Sequence, residues 1–271
     1  MQKYNFKNKK ILITGAANGL GYYLAIGLIK KGSTVIVIDK DYVKLNELKN
    51  KFNTKIDTYH YDLKDLENLE VILTEIDNKY EKIDCIINNA AYELAGFIDE
   101  LELKDIVEQY NTNFFSGIGL IKKFIKKISL SKGKIVSLSS DAGFRGVPTR
   151  SIYCSSKAAI YYFAEALRLE CDKYNVESVI ILPPKLNSSF WEHIEYRGSI
   201  REKPLMDART KYDTEKFANE VIDQLEKNKK IITKKFRTIK IFTFLNYLFP
   251  FISDFIVKKF TNINQIQRNK F

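Results

Sequence analysis

The sequence is poor in cysteine and histidine. Its three cysteines, Cys85, Cys154 and Cys171, are odd in number and lack the paired spacing of zinc ligands. This excludes a disulfide framework, so we expect a reducing compartment. The two histidines, His60 and His193, are too isolated to indicate a metal site. We therefore expect no bound metal.

Long apolar stretches are also lacking. The start, MQKYNFKNKK, is polar and basic and has no apolar core of a secretory signal, so we expect it to belong to the mature protein. The most apolar part of the C-terminal end, IFTFLNYLFPFISDFIVKKF, is interrupted by Asn246, Pro250 and Asp254. A membrane-spanning helix needs about 20 predominantly apolar residues, so this stretch does not predict one.

The net charge of +11 is concentrated at the C-terminal end. From Lys227 to Phe271, eleven Lys or Arg stand against one acid, Asp254, which gives that stretch +10 and leaves +1 for the rest. A nearly neutral body argues against nucleic acid as a partner. The alternative for the tail is compositional, because a chain rich in Lys, Asn and Ile gains positive charge without selecting a partner.

Short apolar, β-branched runs alternate with segments of helical length, such as 19–31, 65–80, 99–129, 153–173 and 213–227. This alternation predicts a doubly wound, Rossmann-like parallel α/β sheet with helices on both faces. No linker or repeat divides it, so we expect one domain over residues 1–233, followed by an extension. The predicted strands, about seven in number, are 9–14, 34–39, 55–62, 82–89, 133–140, 176–182 and a weaker 229–233.

The stretch TGAANGLG, residues 14–21, joins the first predicted strand to the first helix. Gly15, Gly19 and Gly21 follow a Gly-x-x-x-Gly-x-Gly spacing, and glycines here allow a tight turn and let backbone N–H groups approach a pyrophosphate. A glycine turn without a ligand is the alternative. Asp39, at the end of the second strand and 18 residues beyond Gly21, favours the nucleotide, because its carboxylate accepts hydrogen bonds from an adenosine ribose.

Asp39 also determines which cofactor we expect. Its carboxylate binds a free ribose 2′-hydroxyl but repels a 2′-phosphate, and Asn18 in the loop adds no positive charge. NAD(H) is therefore favoured. NADP stays open, because Lys40 beside Asp39 would neutralise part of that repulsion, and Asp39 as a simple turn former is a further alternative.

An ordered series of motifs between Lys9 and Lys230 resembles the classical short-chain dehydrogenase/reductase family. TGAANGLG is similar to its cofactor loop, NNAA at 88–91 to its fourth-strand signature, and YNTNFFSG, SLSSDAG and YCSSK to its later motifs. Ser140 precedes Tyr153 by 13 residues, which is the family's spacing. The resemblance implies an enzyme that interconverts an alcohol and a carbonyl with a nicotinamide cofactor, assembled as a homodimer or homotetramer.

Four residues are predicted to be catalytic: Asn113, Ser140, Tyr153 and Lys157. Tyr153 and Lys157, four apart at a predicted helix start, share one helix face, so we expect the ammonium to lower the pKa of the phenol. Such a tyrosine exchanges a proton with a carbonyl oxygen that Ser140 holds. By resemblance, Lys157 also binds the nicotinamide ribose and Asn113 holds a relay water, although bracing a helix is the alternative for Asn113. Cys154 is interpreted as a packing residue.

The other cofactor contacts are implied by the resemblance. Asp62, in YDL, is expected to lie against the adenine. Ser188 is expected to replace a threonine that contacts the carboxamide in the family. The sequence departs from the family pattern at Pro183-Pro184, where Pro-Gly is usual, and at Ala91, where glycine is usual; the first change removes backbone freedom beside the nicotinamide. The predicted cofactor set is Gly15, Asn18, Gly19, Leu20, Gly21, Asp39, Asp62, Leu63, Asn89, Ala90, Tyr153, Lys157, Pro183 and Ser188.

Residues 187–213 are irregular in pattern and lie where the family places its substrate-covering segment. Phe190, Trp191 and Tyr196 belong to this segment. Aromatic side chains line many apolar pockets, but they also pack a flap against the body. Both interpretations stay open for these three residues, and Trp191 is the predicted substrate contact.

Residues 234–271 are predicted to form a basic, aromatic, helical extension that Pro250 kinks or divides. One interpretation is an amphipathic element that lies on an anionic membrane surface or caps a long-chain substrate pocket. Docking on the body or on a second subunit is the other. The apolar positions with helical spacing are Ile241, Leu245, Leu248, Phe249, Ile252 and Ile256.

Together these patterns predict an NAD(H)-dependent oxidoreductase with Tyr153 as general acid/base and a hydrophobic, lipid-like alcohol or carbonyl as substrate. We expect it in the cytoplasm, in contact with the inner face of a membrane if the tail binds there. The alternative from another class is a non-catalytic NAD-binding scaffold that the tail recruits to a membrane. A nucleic-acid binder is a third hypothesis, motivated by the tail charge alone.

Overall fold

The structure, a computed structural model, describes residues 3–200, 211–234 and 236–261. Seven parallel strands form one sheet, as the sequence predicts; they are β1 (Lys10–Thr14), β2 (Thr34–Asp39), β3 (Ile56–His60), β4 (Cys85–Asn88), β6 (Lys134–Leu138), β7 (Glu177–Leu182) and β9 (Ile231–Thr233). Their order is β3-β2-β1-β4-β6-β7-β9. Two short strands, β5 (Leu94–Ala95) and β8 (Glu195–Tyr196), pair separately in parallel and are not predicted by the sequence pattern.

Helices connect these strands: α1 (Gly19–Lys30), α2 (Tyr42–Phe52), α3 (Leu69–Lys79), α4 (Leu103–Tyr110), α5 (Ser116–Ser129), α6 (Ser151–Glu170) and α7 (Thr214–Glu226). The segment predicted as 99–129 begins later, at Leu103, and contains a wider π-helical turn at Asn111–Phe115 between α4 and α5. α2 is not among the predicted helices. The Asp41 side chain caps its N-terminus by accepting from the Lys44 N–H at 3.1 Å.

The sheet is buried on both faces because its strands are almost continuously apolar. On one face, Leu24 of α1 and Phe217 of α7 are buried in a cluster with Ile11 and Ile13 of β1. On the other, Phe124 of α5 packs in a cluster that includes Leu12. Alternate residues of one strand thus pack in opposite layers, which fixes the register. Because all seven strands are parallel, their carboxyl ends lie at one edge of the sheet.

The strand order reverses beside β1, and the turn after β1 is fastened to the end of β4. Gly15 has a φ of +68°, and a Cβ there would lie 2.7 Å from Ala90 Cα. The Asn89 side chain donates to the Thr14 and Gly15 carbonyls at 3.0 and 2.7 Å. The Thr14 hydroxyl oxygen accepts from the Asn89 and Ala90 N–H groups, both at 3.1 Å. This edge is where doubly wound sheets place ligands.

The C-terminal extension forms two helices, α8 (Phe236–Leu248) and α9 (Pro250–Thr261). The division falls at Pro250, as the sequence predicts, because proline is tolerated in the first turn of a helix but not in its interior. α9 docks on the body through an ion pair between Asp254 and Arg145. None of the helices in the described ranges is long and apolar enough to cross a membrane.

Replacing Gly15 tests the turn after β1. In Gly15→Ala, the left-handed backbone costs about 1–2 kcal/mol and the forced contact with Ala90 about 1–3 kcal/mol. We therefore expect the midpoint of thermal unfolding to fall by about 5–10 °C. Gly146→Ala is the matched control, because no atom lies within 4 Å of a Cβ at Gly146. Calorimetry checks both variants, and equal midpoints would contradict the close approach at Gly15.

Candidate active site

A cavity of about 970 Å³ lies at the carboxyl ends of the strands. Of the predicted site residues in the described ranges, all line it except Gly21 and Asn113. Gly21 lies behind the turn, where a Cβ would be 2.2 Å from the Gly15 carbonyl oxygen. The structure therefore brings the glycine loop, Asp39 and the Tyr153 motif to one space.

The glycine loop offers backbone N–H groups at the start of α1. Asn18 precedes the helix and makes no side-chain cap to it, and the first turn of α1 contains no acidic residue. Gly19 has a φ of +57° and borders the cavity. Because no side chain within α1 or its cap satisfies these N–H groups, the helix N-terminus fits a phosphate anion.

Asp39 is fixed at the rim of this loop. One carboxylate oxygen accepts from the Ala17 N–H at 2.9 Å and the other from the Asp41 N–H at 3.0 Å. Each oxygen retains a second lone pair, so the carboxylate can still accept from ribose hydroxyls. The loop, the helix terminus and this carboxylate together fit a dinucleotide cofactor.

Two cations also lie near the glycine loop and Asp39. Lys40 lines the cavity, and the Lys44 ammonium donates a hydrogen bond to the side-chain oxygen of Asn18. The Asn18 amide in turn points to Asp41 at 3.5 Å. The sequence analysis missed Lys44, because its approach to the loop depends on the position of α2. Positive and negative side chains therefore lie close together beside the glycine loop.

Asp62, the residue expected against the adenine, and Leu63 line the cavity. The Asp62 carboxylate accepts from the Lys64 N–H at 3.0 Å, which forms a local turn after β3. Leu63 is buried and borders the cavity. Asn89 and Ala90 also border the cavity. The Asn89 amide is already engaged with the β1 turn, so its role is to shape the loop.

Tyr153, Ser140 and Lys157 lie on the opposite wall. Tyr153 and Lys157 share the first turns of α6, and both are buried. Ser140 follows β6, where its hydroxyl oxygen accepts from the Ala142 N–H at 3.1 Å. The segment after Ser140 packs closely against α6, and Gly143 permits this contact, since a Cβ there would lie 2.9 Å from the Lys157 carbonyl carbon.

The electrostatics of this wall differ from the prediction that Lys157 lowers the pKa of Tyr153. The Lys157 ammonium donates to the Leu138 carbonyl at 3.0 Å and lies 5.8 Å from the centre of the Tyr153 ring. Burial raises the pKa of Tyr153 well above its usual range, Glu93 adds to the rise, and a hydrogen bond with Ser140 opposes it. Burial lowers the pKa of Lys157 to about 8. Tyr153 is therefore held as a neutral phenol.

A buried ion pair beside Tyr153 was missed by sequence reasoning. Glu93 is 1 % exposed, and its carboxylate lies 2.8 Å from the Arg150 Nε. Burial raises the pKa of Glu93, and Arg150 opposes that shift. Both residues line the cavity. A charged residue that follows an apolar strand carries no signal of burial in the sequence, so this pair emerges only from the fold.

Asn113 lies within the π-helical turn, behind the cavity wall. Its side-chain oxygen accepts from the Tyr92 N–H at 3.0 Å, and its amide donates to the Tyr92 carbonyl and the Ser156 hydroxyl, each at 3.1 Å. These bonds tie the segment after β4 to α6. The observed contacts are those of a brace, which is the alternative considered for Asn113.

The substrate-covering segment contributes Phe190 and Trp191 to the cavity lining. The Phe190 ring lies 6.1 Å from the Tyr153 ring, and the Trp191 indole donates to the Leu186 carbonyl at 2.9 Å. Trp191 therefore both lines the pocket and holds the segment down. Tyr196 lies in β8, outside the lining formed by the described residues. The prediction for 201–210 falls outside the described residues.

Three further predicted positions have simple environments. Pro183 and Ser188 border the cavity, so the Pro-Pro departure leaves both at the wall. Ser188 approaches the glycine loop, where a Cβ on Gly19 would lie 3.6 Å from the Ser188 Cβ. Cys154 is buried, and burial raises the pKa of its thiol, which agrees with its interpretation as a packing residue.

Residues 9–197 match the family model of the short chain dehydrogenases. Over 191 residues the chain is 32% identical to the uncharacterized oxidoreductase YusZ of Bacillus subtilis, with 68% of each chain covered. It is 28% identical to the ketoacyl reductase HetN of Nostoc over 179 residues, which cover 65% of this chain and 62% of HetN. The match thus spans about two thirds of the length of these relatives.

Solved structures show the same fold. A short-chain dehydrogenase from Streptomyces avermitilis superposes with a TM-score of 0.75 at 19% identity and covers 98% of this chain and 99% of its own. A 3-ketoacyl-(acyl-carrier-protein) reductase from Brucella melitensis, complexed with NADH, gives 0.71 at 16% identity, with 84% and 96% covered. A Sphingobium yanoikuyae short-chain dehydrogenase in complex with NADPH gives 0.71 at 19%, with 83% and 87% covered. With the glycine loop, Tyr153 and Lys157 around one cavity, the chain belongs to the short-chain dehydrogenase family.

Proposed function

We propose that the protein is an NAD(H)-dependent oxidoreductase that interconverts a hydrophobic alcohol and its carbonyl. The observation that supports this best is the arrangement of one cavity, with an anion-binding helix terminus on one wall and Tyr153 with Ser140 on the other. The nicotinamide cofactor, when bound, supplies the hydride. The protein supplies the position of the substrate oxygen and the proton.

Tyr153 is the proposed proton donor in carbonyl reduction. A phenol whose pKa is raised stays protonated near neutral pH, so it can give its proton to a developing alkoxide. In the reverse direction the phenol must first lose that proton. The raised pKa of Tyr153 therefore favours reduction at neutral pH and predicts that alcohol oxidation accelerates as the pH rises.

Ser140 is proposed to hold the substrate oxygen beside Tyr153. It leaves β6 at the cavity wall, and its bond with the Ala142 N–H fixes its side chain. Lys157 is anchored to the Leu138 carbonyl, close enough to the cavity to meet ribose hydroxyls. Phe190 and Trp191 make the substrate side aromatic, which supports an apolar substrate.

NAD(H) is proposed over NADP(H) because of Asp39. Its carboxylate faces the loop, and both of its oxygens are fixed by backbone N–H groups. A 2′-phosphate would bring two negative groups together at the ribose. Lys40 and Lys44 oppose this argument in part, and the family neighbours include an NADH and an NADPH complex.

Replacing Tyr153 tests the mechanism. We expect Tyr153→Phe to lower turnover by about 10²–10⁴-fold, because the proton donor is lost, while NADH affinity changes by less than about threefold. Tyr162→Phe, on the same helix but 63% exposed, is the control and keeps full turnover. Steady-state kinetics with NADH titrations measure both quantities. Turnover that survives in Tyr153→Phe would reject the mechanism, and NADH binding without turnover in any form would favour the scaffold.

Removing the charge of Glu93 tests the electrostatic account of Tyr153. Glu93 raises the pKa of the phenol, so Glu93→Gln lowers it, and the Arg150 left behind acts in the same direction. The rising limb of kcat/KM for alcohol oxidation should therefore move to lower pH, by about half to one pH unit. Glu67→Gln, at an exposed position, is the control. A limb that stays in place or moves to higher pH would contradict this account.

A further inference from the structure

The two tail helices expose apolar residues to the surroundings and bury polar ones, which is unusual for a protein in water. Nine large apolar side chains between Ile241 and Phe255 are exposed; Phe251 is 86% exposed, Tyr247 84% and Phe255 69%. An amphipathic helix on a globular body normally buries that stripe and exposes its polar residues. We name the surface formed by the exposed apolar residues of α8, α9 and the residue between them the outer tail face; it comprises Ile241, Phe244, Leu245, Tyr247, Leu248, Phe249, Phe251, Ile252 and Phe255.

Polar residues of the same helices point towards the body. Ser253 is buried, and its hydroxyl has no hydrogen-bond partner among the described residues; the same holds for the side-chain oxygen of Asn246. Asp254 pairs with Arg145. Burying the Ser253 hydroxyl and the Asn246 side-chain oxygen while exposing aromatic rings is costly in water, which favours an apolar surrounding for the outer tail face.

From this orientation and the charge of the tail, we propose that the outer tail face binds the surface of an anionic membrane. The stretch from Lys227 to Phe271 has a net charge of +10, and Lys258 and Lys259 are exposed beside the face. Apolar and aromatic residues flanked by lysines match the boundary between acyl chains and anionic headgroups.

The charge argues against a second copy of the chain as the cover. A two-fold symmetric contact through this face would bring two identical basic tails together, each with a net charge of +10.

The lengths of the helices suit a position in the plane of a membrane surface. At 13 and 12 residues, α8 and α9 are each about 20 Å long, against a hydrocarbon core of about 30 Å.

The inner side of the same helices roofs the catalytic cavity. Thr243 of α8, together with Ile256 and Val257 of α9, lines it. A second cleft of about 650 Å³ between α9 and the body shares Phe144, Arg145 and Val257 with the cavity, so the two spaces adjoin beneath the tail. The membrane face and the roof of the cavity are therefore two sides of one helix pair.

This arrangement also indicates a substrate class, an inference that rests on the proposed function. A substrate dissolved in the membrane would reach the cavity from beneath the tail, so the substrate class is a long-chain alcohol or carbonyl compound. A short, water-soluble alcohol has no need of the outer tail face. The dependence of turnover on that face should therefore differ between the two substrates.

Vesicle co-sedimentation of the full chain tests the docking surface. Phosphatidylcholine vesicles with about 30% phosphatidylserine should pellet the protein, whereas pure phosphatidylcholine or about 0.5 M salt should release most of it. We expect Phe251→Ser with Phe255→Ser to reduce pelleting by about tenfold or more. The control, Val43→Ser with Val71→Ser, removes apolar residues of 65 and 66% exposure from α2 and α3 and should pellet like the parent chain.

A second variant keeps the face apolar and reports its surroundings. In Phe251→Trp combined with Trp191→Phe, the single tryptophan of the chain lies on the outer tail face. Its emission should shift to the blue on addition of the anionic vesicles and be quenched by brominated acyl chains. An emission that does not change would overturn the proposal even where the serine variant is unstable.

Three other outcomes would overturn the docking surface: no pelleting with either vesicle, equal losses in the serine variants and their control, or a dimer that the Phe251 and Phe255 changes dissociate.

The substrate class has its own test with NAD. In vesicles, the Phe251→Ser, Phe255→Ser variant should raise the KM for dodecanol about tenfold and leave turnover of isopropanol unchanged. Equal effects on both alcohols would reject the substrate class. Vesicle binding without turnover of either alcohol would refute the proposed function and leave the docking surface intact.

Discussion

The site depends on one set of hydrogen bonds, those that join the turn after β1 to the end of β4. The Asn89 amide donates to the Thr14 and Gly15 carbonyls, and the Thr14 hydroxyl oxygen accepts from two N–H groups of the facing segment. These bonds satisfy polar groups at the point where the strand order reverses. They hold the glycine loop at the cavity, with α1 directed towards it and Asp39 beside it.

The opposite wall depends on how α6 packs against β6. The Ser139 hydroxyl donates to the Lys157 carbonyl at 2.7 Å, and the Lys157 ammonium donates to the Leu138 carbonyl. These contacts place Tyr153 at the cavity while burying it, and burial keeps the phenol protonated. The same geometry therefore positions the proposed proton donor and sets its charge. Glu93, which is paired with Arg150, adds to the rise in the pKa of Tyr153.

The sequence predicted most of the sheet because parallel strands are buried on both faces and are read as apolar runs. β2, at Thr34–Asp39, matches its predicted bounds, and the glycine loop and Tyr153 motif were predicted at one edge. α2 and the β5–β8 pair were not predicted. Only Leu45 and Leu48 of α2 are buried, and a pair of two-residue strands has no periodicity to detect.

Side-chain directions were beyond the sequence. The spacing of Tyr153 and Lys157 predicts a shared helix face. It does not predict that the Lys157 ammonium donates to the Leu138 carbonyl, because the two residues are brought together only by the packing of α6 on β6. Helical spacing likewise reveals the apolar stripe of the tail but not which way it faces. In the structure five of its six positions are exposed, whereas Ile256 lines the cavity. Asp254 pairs with Arg145, which is distant in the chain, so the orientation depends on the fold.

The central claim is that the loop and Asp39 form an NAD(H) site, and fluorescence titration of the full chain with NADH and NADPH tests it most directly. We expect NADH to bind at least about tenfold more tightly, because the Asp39 carboxylate accepts from the 2′-hydroxyl and repels a 2′-phosphate. NADPH that binds as tightly as NADH, or more tightly, would show that Lys40 and Lys44 override Asp39. Binding of neither would contradict the cofactor site itself.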